Sequence, residues 1–220
     1  MKNNSLHIIV LFVSFILADF CFSQENELQI IDSLVEAKEI NLAFNLLKTV
    51  DTTQFSPGHK AWYYKLFGRS QVLNSQDDLG FQNYLKAKNA YLRLDSLEQV
   101  AKVNLHIVQL LSATEFAELD YDPFLIEYVA YAESQNSPDL LSKAYMAIGT
   151  CFINTEPNKT IEYFKKALVE NQKTTDSLMN AKVHHNIGVL FAEHTKHLDS
   201  ALYHYDVALK EYQKQNLTDY

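Results

Sequence analysis

The stretch Ala181–Leu209, AKVHHNIGVLFAEHTKHLDSALYHYDVAL, decides how the rest of the chain is read. Its apolar residues recur every three to four positions on either side of a polar break at residues 194–197. That is the spacing of two amphipathic helices joined by a short turn. Small residues sit where two helix backbones must approach: Gly188 on the first helix, Ala201 and Ala208 on the second. One helix pair cannot bury its apolar face alone, so the stretch calls for neighbours of the same kind.

Such neighbours lie upstream. Laid over itself, the chain places Ala101, Lys102 and Val103 on Ala181, Lys182 and Val183, with Ile107 and Leu110 on Ile187 and Leu190. Ile126, Glu127, Tyr128 and Ala132 fall on Ile161, Glu162, Tyr163 and Ala167. The mid-helix marker falls at Gly68, Val108, Gly149 and Gly188, at intervals of 40, 41 and 39 residues. Self-similarity at such a period signifies stacked supersecondary units.

The same periodicity predicts helices at Glu27–Lys38, Asn41–Val50, Ala61–Leu73, from Leu79 onward, and at Asp95–Ala113 and Asp122–Ser134. It continues through Ser142–Asn154, Asn158–Glu170, Asp176–His194 and Leu198–Gln215. Asp51–Gly58 reads as a polar break because it holds Pro57 and Gly58. Asp95, Asp122, Asp139 and Asp176 are expected to cap helix starts, where a side-chain oxygen can accept from exposed backbone N–H groups. Pro123 and Pro157 sit at or next to such starts. With only 5 Gly and 4 Pro in 220 residues, the chain has too few turn formers for a β-rich fold. An all-α chain is predicted.

Three marker sets carry a family resemblance. They are Tyr145, Ile148, Gly149, Phe152, Phe164 and Ala167; His184, Ile187, Gly188, Phe191, Ala201, Tyr205 and Ala208; and Tyr64, Phe67, Gly68, Gly80, Tyr84 and Ala87. From about Glu27 to its end the chain resembles the tetratricopeptide repeat (TPR) family. The resemblance implies a right-handed α-α superhelix, a TPR-like solenoid of about ten antiparallel helices. It divides the chain into a partial repeat at 24–58 and four helix pairs at about 59–93, 94–136, 137–173 and 174–220. Two positions depart from the pattern: Val108 replaces the glycine of the pair at 94–136, and Thr160 replaces an alanine of the next. The helices at 94–136 are expected to pack slightly further apart.

The resemblance also implies a non-catalytic scaffold that holds a protein or peptide on its concave face. In TPRs the first helix of each pair turns its positions two, five, six and nine toward that face. Position two is Trp62, Lys102, Lys143 and Lys182, and position five is Lys65, Leu105, Met146 and His185. Position six includes His106 and Asn186, and position nine is Arg69, Gln109, Thr150 and Val189. The expected binding residues are Lys65, Arg69, Lys102, Gln109, Lys143, Thr150, Lys182, His185 and Asn186. A row of lysines in a chain of net charge -8 favours an acidic segment or a C-terminal carboxylate. No unit has the asparagine at position nine that the family's two-carboxylate clamp requires.

Other function classes lack support. A net charge of -8 is the wrong sign for nucleic acid. There is no nucleophile elbow, phosphate loop or Cys–His pairing, so no catalysis is predicted. Five of the eight histidines fall between His184 and His204, but no HExxH pair is present and no metal or cofactor is expected. His184 reads as a packed core side chain, His185 as a groove residue, and His194 and His197 as turn residues.

The N-terminus stands apart. Lys2 precedes a run from Ile8 to Ala18 that has no charge and only Ser14 as a polar member. Cys21 and Ser23 then offer small residues for cleavage ahead of Gln24, so residues 1–23 are predicted to be a signal peptide and the chain to be exported to the periplasm or cell envelope. Cleavage would leave Cys151 without a cysteine partner in the chain. A signal segment ending Ser-Gln, followed by long repeats with a DSLMNAK opening at Asp176–Lys182, resembles exported TPR regions of Bacteroidota-type sensory and regulatory proteins. That implies an alternative role as the sensory ectodomain, the N-terminal part, of a membrane-bound histidine kinase or helix-turn-helix regulator. Membrane contact is expected only through an uncleaved signal segment or through such a further C-terminal part.

Overall fold

The computed structural model describes residues 25–113, 120–174 and 176–214. The segment predicted to direct export, with Cys21, lies outside them. All regular structure among the described residues is helical. Helix α1 covers residues 25–36. There follow α2 (Ile40–Thr49), α3 (Pro57–Leu73), α4 (Asp77–Arg93), α5 (Leu97–Ala113) and α6 (Asp122–Ser134). Then come α7 (Pro138–Cys151), α8 (Pro157–Asn171), α9 (Ser177–Val189) and α10 (Leu198–Lys214). The helices form two compact units, divided between Val103 and Asn104 within α5.

In the first unit, α3 packs along α4, and α2 packs against α3. Leu28, Ile31 and Val35 of α1, Ala43 and Leu47 of α2, and Leu66 of α3 form one buried cluster with Phe55. These residues follow the three-to-four spacing that gives a helix one apolar stripe. Phe55, Tyr63 and Phe67 extend the cluster as an aromatic chain, with Tyr63 5.5 Å from Phe67 and 6.2 Å from Phe55 between ring centroids. In the second unit, α7 pairs with α8 and α9 with α10. Its cores are built around Ile148 and Phe152, and around Phe164, Val183 and Ile187.

The glycines serve close approach. A Cβ on Gly149 would lie 2.6 Å from the Phe164 ring, and one on Gly188 would lie 2.6 Å from the Tyr205 ring. Both distances are inside van der Waals contact, so the ring of the second helix sits on the bare backbone of the first. Gly68 receives Tyr84 in the same way. The pair α5/α6 solves the problem differently. Val108 is fully buried, and the place of the aromatic ring is taken by Val129, which packs on the same core cluster. A glycine with a ring has been exchanged for two middle-sized side chains, a swap that keeps the filled volume similar.

Thr160 departs from alanine for a comparable reason. It is fully buried, and its hydroxyl donates to the Gly149 carbonyl at 3.2 Å. Ser142, equally buried, donates to the Ala167 carbonyl at 2.9 Å. These bonds cross the α7/α8 pair in opposite directions. Each satisfies a buried hydroxyl, and a net gain of about 1 kcal/mol apiece is typical.

The helix ends differ from the sequence reading. Asp95 is no cap for α5. It has φ 53° and closes α4: its N–H donates to Leu92 O, and the Ser96 N–H donates to Tyr91 O at 3.0 Å. That pair of bonds is the Schellman pattern, in which the left-handed residue follows the helix. Ser75 ends α3 likewise, with φ 58° and the Gln76 N–H bonded to Gln71 O. Left-handed turn positions thus fall on Lys38, Ser75, Asp95, Asn136 and Lys196, and no glycine among the described residues has positive φ. Asp122 and Asp139 lie inside their helices. Ser137 caps α7 by accepting from the Leu140 N–H, whereas Asp176 caps α9 as expected. Pro57 and Gly58 do not form a break. Ser56 accepts from the His59 N–H and Pro57 opens α3, where a missing N–H is harmless. Pro138 lets α7 begin four residues before Ser142 in the same way. The expected Asp176–His194 helix is regular only to Val189, and residues Leu190–Thr195 widen into a π-helical segment. There Leu190 is fully buried and Phe191 stacks on His204 of α10.

The small–large contact is testable by exchange. Gly149→Val alone is expected to destabilise the protein by about 2 kcal/mol or more, because the ring must move. The double variant Gly149→Val/Phe164→Val recreates the pairing at Val108 and Val129. In chemical denaturation it should fall short of the sum of the two single effects by about 1 kcal/mol or more.

Candidate functional site

The first unit carries the position-two, -five and -nine residues of α3 on one side of that helix. Trp62 donates from Nε1 to Asp32 Oδ2 of α1 at 3.2 Å, and Arg69 forms an ion pair with Glu36 of α1. Lys65 reaches the other way and donates to Gln99 Oε1 of α5 at 3.4 Å. Lys102, one turn further along α5, pairs with Glu98 at 2.6 Å. The structure therefore brings Lys65, Arg69 and Lys102 together on one surface with Asp32, Glu36 and Glu98. Burial holds the Lys65 ammonium below the ordinary lysine value. Asp32 opposes the shift, while Lys102 and Arg69 add to it. The carboxylates were missed in the sequence, although Asp32 and Glu36 stand four apart on α1 and so share a face.

The second unit presents a different surface. Helices α7 and α9 lie against each other. Lys143 and Thr150 of α7 are exposed, as are Lys182 and His185 of α9 and Gln109 of α5. Lys143 pairs with Asp139 on its own helix at 2.7 Å. The Thr150 hydroxyl donates to the Met146 carbonyl, and the His185 ring lies 5.7 Å from that of Tyr205. Asn186 is half-buried beside them. Met146, also at position five, packs into the α8/α9 core. Lys182 has no ion-pair partner among the described residues.

His184 and His204 join α9 to α10. Their Nδ1 atoms lie 2.9 Å apart and their rings stack at 5.1 Å. One ring donates its Nδ1–H and the other accepts through a bare Nδ1, so at least the accepting ring is neutral. Burial holds both below the ordinary value of 6.5. Glu211 opposes the shift at His184, and His184 reinforces it at His204. His197 lies edge-on to Phe191 at 6.3 Å. Among the described residues no three His, Cys, Asp or Glu side chains are grouped as metal ligands. Cys151 donates its thiol to the Ala147 carbonyl, and burial pushes its pKa up to about 12, which leaves it without thiolate character at neutral pH.

No family model matches the chain and no curated protein matches it in sequence. Similarity is found in three dimensions. The chain is similar to BtubC (BKLC) from P. vanneervenii, with a TM-score of 0.57, 13% identity, and coverage of 88% of this chain and 76% of that one. It is also similar to the nearly identical TPR-like repeats of a kinesin light chain-like protein from Podosopora anserina. That match has a TM-score of 0.65, 9% identity, and coverage of 87% of this chain and 95% of that one. Likeness at these identities concerns the fold, which is all-α and TPR-like.

The histidine pair makes stability depend on pH. Depressed native pKa values mean that the unfolded chain binds more protons in the window just below 6.5. The contribution is complete above 6.5 and is lost as pH falls below that value. The thermal midpoint is expected to drop between pH 7.5 and pH 5.5, and His204→Phe should make that drop shallower.

Proposed function

We propose that the chain is a non-catalytic scaffold that binds a protein or peptide partner on the face formed by α7 and α9. The chemistry this face favours is an acidic segment or a C-terminal carboxylate. Lys182 carries the proposal: it is an exposed cation without an ion-pair partner among the described residues, in a chain of net charge -8. Lys143 holds the same helical position on the neighbouring α7, and its pairing with Asp139 is an exposed i,i+4 contact. Such pairs are worth about 0.3–0.5 kcal/mol, so Lys143 can exchange Asp139 for a partner's carboxylate. The first unit suits this role less, because Arg69 is matched by Glu36 of another helix and Lys65 is partly buried and bonded to Gln99. Thr150, His185 and Asn186 supply hydrogen-bonding groups around the two lysines.

Export to the periplasm belongs to the same proposal and rests on the N-terminal pattern of Lys2, the apolar run and Ser23. A second function is favoured by α10. Leu202 and Leu209 are 66% and 47% exposed, whereas the corresponding Ile161 and Leu168 of α8 are partly covered. An apolar face in that state suits a further packed element, as in the sensory part of a larger signalling protein.

Capture from a periplasmic extract at low salt tests the binding face. The unaltered chain should retain a specific protein, and Lys143→Glu/Lys182→Glu should weaken that binding at least tenfold. Lys165→Glu on α8 should leave it unchanged. Equal retention by the charge-reversed variant would contradict the proposal.

A further inference from the structure

The other side of α3 carries a separate feature. Helices advance 100° per residue, so Lys60 and Tyr64 lie opposite Trp62, Lys65 and Arg69. There Lys60 and Tyr64 of α3, with Lys86 and Arg93 of α4, line a cleft of about 670 Å³. Phe55 and Leu94 add apolar wall, and no Asp or Glu is among the lining residues. Lys86 Nζ stands 5.5 Å from the centroid of the Tyr64 ring and 3.4 Å from Asn83 Oδ1. None of the three cations has an ion-pair partner among the described residues.

Two observations meet here. The volume falls within the roughly 300–1,000 Å³ of small-molecule sites, which combine apolar walls with a few polar groups. Three of its five polar side chains are cationic and none is acidic, in a chain whose net charge is -8. Three cations line the cleft with no acidic residue among its lining, so an anion entering it is attracted. Neither surface lysines alone nor an apolar hollow alone would specify a ligand, but the two together do. The anionic head would lie between Lys86 and Arg93, and a flat apolar body would lie against Tyr64, Phe55 and Leu94.

We infer that this cleft binds a small organic anion with an aromatic or flat apolar body, independently of the α7/α9 face. The head group, carboxylate or phosphoryl, is one chemistry with two sources, and the probes separate them. Titration calorimetry at low salt would compare 1-naphthyl phosphate, 1-naphthylacetate, inorganic phosphate and 1-naphthol on the full chain. At least one naphthyl anion should bind ten or more times more tightly than inorganic phosphate and than 1-naphthol. The tighter of the two anions identifies the head group. Lys86→Gln/Arg93→Gln should lower that affinity at least tenfold while its thermal midpoint stays within about 3 °C of the parent chain, the shift expected of surface changes. Lys182→Glu should leave it unchanged. The inference is overturned if neither anion outbinds inorganic phosphate and naphthol, or if binding survives Lys86→Gln/Arg93→Gln. Should that double variant melt early, Lys60→Gln replaces it under the same criterion.

Discussion

The structure depends on a ring lying against a glycine. At Gly149 with Phe164 and Gly188 with Tyr205, the second helix of a pair comes so close that a Cβ on the first would lie 2.6 Å from ring carbons. This contact does more than fill space. It fixes which side of α7 and α9 turns inward, and so fixes which side remains for solvent. Lys143, Thr150, Lys182 and His185 are exposed because Ser142, Ile148, Val183 and Ile187 are held on the inner sides of the same helices. Glycine in a helix interior costs about 1 kcal/mol in propensity. At Gly149 the full burial of the Phe164 ring, about 1.5–3 kcal/mol, outweighs that cost.

The repeat logic was legible because it is written in spacing. Markers 39 to 41 residues apart located the helix pairs, and the apolar stripes located their inner faces. The helix ends were less legible, for a definite reason. This chain places its glycines at helix contacts and gives the left-handed turn positions to Lys, Ser, Asp and Asn. The usual stop signal is therefore absent where helices stop and present where they do not. Pro57 misled in the same sense, since a proline after a capping serine begins a helix as readily as it ends one. The π segment at Leu190–Thr195 has no local sequence signature. Within it Leu190 is buried and Phe191 stacks on His204 of α10.

The exposure of Lys143, Thr150, Lys182 and His185 agrees with the helical positions read from the sequence, but the charge balance around the first unit's lysines could not be read there. Lys65, Arg69 and Lys102 looked alike to Lys143 and Lys182 in one dimension. Only the fold shows Glu36 opposite Arg69, because the acid comes from a helix 33 positions away. The two units thus differ in what they offer. The first has a surface of alternating sign, closed upon itself. The second has cations held by weak local pairs or by none. The histidines follow a similar division: His184 and His204 are bound to each other, while His185 stays exposed.

The most direct test of the central claim is a lysine footprint. Amine acylation of the chain, with and without a captured partner, would be read by mass spectrometry. The account predicts protection at Lys143 and Lys182, with Lys165, Lys166 and Lys210 on α8 and α10 still fully reactive. Protection of the α8 and α10 lysines, with Lys143 and Lys182 left open, would contradict it.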